Sequence, residues 1–143
     1  MILVDANVLL HAHLSSHDEH ARMRDWLDAQ LGGATRVGLP WESLMGFVRI
    51  ATNPRLYPRP QTVSGAWEQV RAWTNCASAW IPQPTVHHAD ILGEMIVLPG
   101  MTSKLVLDAH LAALAIEHGL TLCSSDRDFA RFPKLRWFNP LAV

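Results

Sequence analysis

The chain has 143 residues, the size of one domain, and can bury roughly 68–70% of its unfolded surface without disulfide or metal staples. Hydrophobic residues make up 49% and charged residues 17%, which excludes the disordered and fibrous classes. Twelve Lys and Arg against thirteen Asp and Glu give a net charge of −1, so the broad basic footprint of a nucleic-acid binder is missing and any such contact is local.

Ile2-Leu3-Val4 is a short apolar run that stops at Asp5 and fits a buried strand, with a short helix over residues 6–13 after it. Ser15 and Ser16 offer N-caps for a helix over 17–31, where Ala21, Met23, Trp26, Leu27 and Leu31 recur on one face before Gly32-Gly33. Residues 35–39 read as a second strand, followed by a helix from Trp41 to about Thr52 that Asn53-Pro54 breaks. The prolines and arginines of 55–60 make a loop, and Thr62 caps a helix reaching about Asn75. Residues 79–81 form a third strand, and Thr85 caps a helix through about Val97, ended by Pro99-Gly100. Residues 105–118 are apolar nearly all round, which predicts a central buried helix with Gly119 just past its end. A fourth strand at 121–124, a helical turn at 127–132 and an edge strand at 136–138 complete the chain. Strands alternating with helices predict a single α/β domain over 1–143, its mostly parallel sheet covered on both faces.

Three acids follow predicted strands: Asp5 the first, Glu42 the second and Asp126 the fourth. Ligand sites of open α/β sheets form outside the carboxyl ends of strands, so these acids share one rim if their strands are neighbours. Each also has a plain reading, as an N-cap or as a first-turn acid that complements the helix dipole. Asp108 differs, because it sits one turn into the apolar helix, where an ionised carboxylate is expensive unless a charge, hydrogen bonds or a metal compensates it. A cation shared with Asp5 and Asp126 removes that cost, and oxygen-only ligands suit Mg2+ or Mn2+ better than zinc. Asp128 is a fifth candidate, read as support for Asp126, and Asn7 can orient Asp5 by hydrogen bonding or simply cap a helix.

Other residues read more plainly. His11, His13, His17 and His20 crowd together without a ligand spacing that repeats, and His87, His88 and His110 read as surface or packing positions. The six tryptophans read mainly as core. Ten of the twelve basic residues are Arg, which favours planar contacts with phosphate or carboxylate; Arg49, Arg55, Arg59, Arg127, Arg131, Lys134 and Arg136 read first as an ordinary solvated surface, with flanking of the acidic rim as the alternative. Cys76 and Cys123 are too far apart in sequence for a metal-type motif and fit a reducing cytoplasm. The opening Met-Ile-Leu-Val-Asp has no signal-peptide character, and no apolar run nears the ~18 residues of a membrane span. A cytoplasmic protein without a membrane segment is expected.

Taken together, Asp5-x-Asn7, Glu42, Asp108 within Leu-Asp-Ala-His-Leu-Ala-Ala-Leu-Ala, and Ser124-x-Asp126-x-Asp128-Phe129 resemble the PIN-domain ribonucleases. Within that family the chain is most similar to the VapC toxins of bacterial type II toxin–antitoxin systems. The phrases Phe47 to Arg55, Asp126 to Pro133 and Leu135 to Leu141 look like the mycobacterial branch. The resemblance implies a three-layer α/β/α fold, Mg2+- or Mn2+-dependent endonucleolytic cleavage of RNA, a VapB-type antitoxin that blocks the site, and a homodimer. By position, Asp5 and Asp108 are the principal metal ligands, Glu42 and Asp126 complete an acidic quartet, and Asn7, Ser124 and Asp128 support it. Many relatives carry Asn just before the Asp108 helix, where this chain has Ser103-Lys104. In-line attack leaves a 5′-phosphate and a 3′-hydroxyl, with Glu42 orienting or deprotonating the water.

Two other classes compete. A receiver-like phospho-acceptor domain also gathers acids at strand ends, but it needs paired acids near the first strand and a lysine after the fifth, for which only Lys134 offers itself. A catalytically inactive PIN-like binding module is the other.

Overall fold

The apolar run Ile2–Val4 forms the central strand, β1, of a five-stranded sheet in a computed structural model that describes residues 1–142. Helices α1 (Ala6–His13) and α2 (His20–Leu31) lead to β2 (Val37–Gly38), then α3 (Trp41–Ala51) and α4 (Val63–Thr74) to β3 (Ala79–Trp80). Next come α5 (His88–Ile96), a 3-10 turn (Ser103–Leu105), α6 (Val106–Glu117) and β4 (Thr121–Cys123). A second 3-10 turn (Arg127–Arg131) leads to β5 (Trp137–Phe138). The strand order is β3-β2-β1-β4-β5. Every pairing is parallel, with Ile2 opposite Val37 on one side and Thr121 on the other.

This order explains the layers. From β1 the chain moves outward through β2 and β3, then returns to the far side of β1 for β4 and β5. Right-handed crossovers that travel in opposite directions put their helices on opposite faces of a sheet. The side chains of β1 divide accordingly: Val4 packs with Val8, Leu44 and Phe47 on the α1–α4 face, and Leu3 with Ala109, Leu114 and Phe129 on the α5–α6 face. The three-layer α/β/α architecture is therefore as expected, with a sheet that is parallel throughout.

Departures from expectation trace to particular contacts. The second helix begins at His20, not His17, with Glu19 at its N-cap position and no serine cap. Residues 15–19 instead form turns, held where the His17 Nε2 meets the Tyr57 hydroxyl at 3.0 Å and its ring stacks on His11. Thr62 caps α4 as expected, accepting from the Gly65 N–H at 3.0 Å. Thr85 does not cap α5, whose N-cap position is held by His87 without a side-chain cap; its hydroxyl instead accepts from the His87 N–H at 3.1 Å, in the turn before the helix. The apolar helix is buried along most of its length, but its first turn is not: Leu107 is 76% exposed. Trp73 is buried, whereas Trp41 and Trp67 are 40% exposed and stack on one another at the surface.

Two glycines answer to space or backbone. Gly119, φ +67°, ends α6 in the left-handed region that side chains disfavour. At Gly38 in β2, a Cβ meets the Pro82 ring at 2.9 Å and the Ile2 carbonyl at 3.1 Å, so the strand interior accepts only hydrogen. Gly38→Ala therefore overpacks the sheet and lowers stability by about 1–3 kcal/mol, with an unchanged denaturant m-value. Urea unfolding followed by circular dichroism checks this; wild-type stability in the variant contradicts it.

Candidate active site

The strand order reverses between β1 and β4, and the crevice outside such a reversal is where open α/β sheets bind ligands. Asp5 directly follows β1, Ser124 and Asp126 follow β4, and Glu42 lies in the first turn of α3, just past β2. Asp108 joins them from the exposed first turn of α6. Parallel pairing of Val4 with Cys123, and the Asp5 N–H donating to the Cys123 carbonyl at 3.0 Å, bring the two strand ends level.

The Ser124 hydroxyl, fully buried, ties the strand ends together. It donates to Asp5 Oδ2 at 2.7 Å, and it accepts from Asn7 Nδ2 at 2.9 Å and from the Asp126 N–H at 3.0 Å. One proton and two lone pairs are all a hydroxyl offers, and all are used. Asn7 thus acts on Asp5 through Ser124, and its Oδ1 also accepts from the Ser125 N–H at 3.3 Å. The other Asp5 oxygen accepts from the Ala6 N–H at 2.7 Å, so this carboxylate caps α1 as well. Asp126 caps the turn after β4 by accepting from the Asp128 N–H at 2.9 Å.

The acids repel one another. Asp108 is pushed up to about 6, first by burial and then by Asp126, Asp5 and Asp128. Burial also raises Asp5, with Asp126 adding to it, against the lowering effect of the Ser124 and Ala6 hydrogen bonds. Carboxylate oxygens of Asp108, Asp126 and Asp128 lie within 4.8 Å of one another, all on half-buried residues. This grouping joins Asp128, rather than Asp5, to Asp108 and Asp126. The nearby cations lean on Asp128, with Lys104 Nζ at 3.9 Å and Arg131 at 4.0 Å. A set of hard oxygen donors that raise one another's proton affinity fits a divalent cation.

An open groove of about 680 Å³ is lined by Asp5, Glu42, Asp108 and His110 together with the apolar Met45, Leu107 and Leu111. Arg49 lines it, which fits the flanking alternative. Lys134 and Arg136 are engaged elsewhere, Lys134 with Glu94 at 3.0 Å and Arg136 with the Gly119 carbonyl. His88 and His110 are not bystanders: they connect Glu117 to Glu42, a link their sequence spacing does not reveal because it joins three separate helices.

Residues 2–135 match the PIN domain family. The chain is 48% identical to Ribonuclease VapC37 of Mycobacterium tuberculosis, covering 100% of this chain and 99% of that one. Its fold is similar to that of M. tuberculosis VapC20, a sarcin-ricin loop cleaving toxin, with a TM-score of 0.68 over 95% of this chain and 99% of that one, at 16% identity. VapBC2 from Rickettsia felis, solved on a DNA fragment from its promoter, also superimposes with a TM-score of 0.68, covering 97% of this chain and 98% of that one, at 15% identity. A parallel sheet with acids gathered at its switch point, and a family match across nearly the whole chain, place this protein in the PIN-domain family.

Proposed function

We propose that this chain is a VapC-type toxin, an endoribonuclease that cuts RNA with a divalent cation held by its acidic rim. The observation that carries the reading is Asp108, a half-buried carboxylate near three other acids that lines an open groove. A cation removes the repulsion that a purely structural account leaves in place. Asp5, Asp108 and Asp126 hold the ion, Mg2+ or Mn2+, and Asp128 supports them between Lys104 and Arg131. When bound, such an ion activates water and neutralises charge on the scissile phosphate.

The protein's own groups do the rest. Ser124 and Asn7 keep the Asp5 carboxylate aimed at the rim. Glu42, its side chain 42% exposed, can orient the attacking water and take its proton. Arg49 offers a planar charge for phosphate along the groove. A single strand of RNA suits this open groove, since its backbone and bases are accessible without a duplex. The same arrangement suits a VapB-type antitoxin: an amphipathic helix covers the apolar residues of the groove, and an Arg or Lys meets the acids. A homodimer belongs to the same reading. No helix among the described residues is long and apolar enough to cross a membrane, and a cytoplasmic site of action follows from the RNA substrate.

Incubating antitoxin-free protein with a mixed cellular RNA pool tests the proposal. Expected are defined fragments with 5′-phosphate and 3′-hydroxyl ends that require Mg2+ or Mn2+, vanish with EDTA, and fall at least about 100-fold in Asp108→Asn. Folded, metal-loaded protein that cuts nothing overturns the enzyme in favour of an inactive binding module.

Charge repulsion makes a separate prediction for stability. Because folding raises the Asp108 carboxyl from 3.8 to about 6, its contribution is best at low pH and is lost as pH rises from about 4 through 6. Asp108→Asn escapes that loss. Metal-free variant should exceed metal-free wild type by about 1 kcal/mol at pH 7.5, after allowance for solvent screening, or roughly 2–4 °C in Tm. The gap should close toward pH 4, as differential scanning fluorimetry can read.

Ser124→Ala leaves Asn7 Nδ2 and the Asp126 N–H without their acceptor and removes a donor from Asp5. It should cost about 1–3 kcal/mol of stability and at least about ten-fold in cleavage. Chemical denaturation and single-turnover cleavage measure the two losses, and wild-type values for both would refute the role given to this hydroxyl.

A further inference from the structure

Glu117 closes α6 with its side chain fully buried, an unusual place for a carboxylate. Both of its oxygens are occupied. Oε1 accepts from the Thr85 N–H, and Oε2 meets Nδ1 of His88, the first residue of α5. A carboxylate here is an acceptor, so Nδ1 of His88 is the donor and the ring orientation is set. That orientation places Nε2 of His88 3.0 Å from Nδ1 of His110, with the rings edge to face at 4.8 Å between centroids. His110 stands on α6, two residues past Asp108, and its Nε2 lies 3.3 Å from Oε1 of Glu42 on α3. An unbroken line of polar contacts thus runs from a buried anchor between α5 and α6 to Glu42; every link is a hydrogen bond when His110 carries a proton on both nitrogens, Nδ1–H donating to Nε2 of His88 and Nε2–H to Glu42.

We propose that Glu117 and His88 are positioning residues for Glu42, acting through His110. Glu42 starts a helix at the surface and, among the described contacts, meets no backbone donor that holds its carboxylate. The histidine pair supplies that hold. A lone surface histidine beside Glu42 is free to turn its ring, whereas His110 is restrained because its other nitrogen is engaged by a ring that Glu117 has already fixed. Supporting partners of this kind preserve the geometry of a reactive group to a fraction of an ångström, and their loss lowers turnover more than substrate binding.

The proposal rests on the nuclease reading and is tested so that the two can fail separately. His88→Leu breaks the chain. His88→Gln restores it, because a side-chain amide has a donor for Glu117 and an acceptor for His110. With the RNA substrate and Mg2+ at one fixed pH, His88→Leu should lower kcat about ten-fold with KM within about two-fold, and His88→Gln should recover most of the loss. In a Glu42→Gln background the same His88 substitutions should change nothing further. Loss that multiplies undiminished in that background, or wild-type kcat in His88→Leu, refutes the positioning role.

Ring 15N chemical shifts of His110 read the chain without any cleavage. Both His88→Leu and Glu42→Gln should move them, with circular dichroism confirming the fold. If neither substitution moves the His110 resonances, the chain is absent and the proposal fails whether or not RNA is cut. If wild type cuts no RNA while the resonances respond, the nuclease reading is what fails, and the chain stands as a link between Glu42 and α5.

Discussion

The hydrogen bonds of the Ser124 hydroxyl hold the ends of β1 and β4 in one geometry, and the acidic rim follows from them. Asp5 and Asp126 belong to strands far apart in sequence that pair side by side, and without a clamp their like charges push the strand ends apart. Ser124 gives its proton to Asp5 and receives the Asp126 backbone and the Asn7 amide, so the clamp is made of neutral dipoles and adds no charge. A buried hydroxyl whose full hydrogen-bonding capacity is met is stable there, and it lowers the proton affinity that burial gives Asp5.

The clamp can work because the layers behind it are dry and tightly packed. Val4 and Leu3 anchor β1 to opposite faces, Phe47 and Phe129 fill those faces, and every helix around the site packs on one of the two cores. The fold therefore holds a charge arrangement that opposes folding, as functional sites commonly do. Asp108 records the conflict most clearly: its first-turn position leaves it half-buried, near three acids, with Lys104 offering only slight relief.

Much of this was legible from the sequence, because periodicity and caps report local structure. The strand before Asp5, the Thr62 cap, the α6 run and Gly119 each carry their own signal. The acids at strand ends were legible too, since their spacing after apolar runs mirrors the architecture. What escaped has its cause in tertiary contact. The pull of Tyr57 on His17 delays α2, and the exposure of Leu107 depends on where α6 leaves the 3-10 turn rather than on its composition. The stacking of Trp41 on Trp67 joins two helices at the surface, and hydrophobicity alone assigned both to the core. His88 and His110 read as surface or packing positions and Glu117 carried no signal of its own, because no pattern within one helix shows that the three meet.

The groove and the histidine chain acquire their meaning from the cation site, so the site is the place to measure. Crystals of the protein soaked in Mn2+ and recorded at the manganese absorption edge locate the ion directly. The account predicts an anomalous peak within coordination distance of the Asp108 and Asp126 carboxylates, beside Asp5, and its loss in Asp108→Asn. An ordered acidic rim with no peak at saturating Mn2+, or a peak at the His11–His17 pair instead, contradicts it.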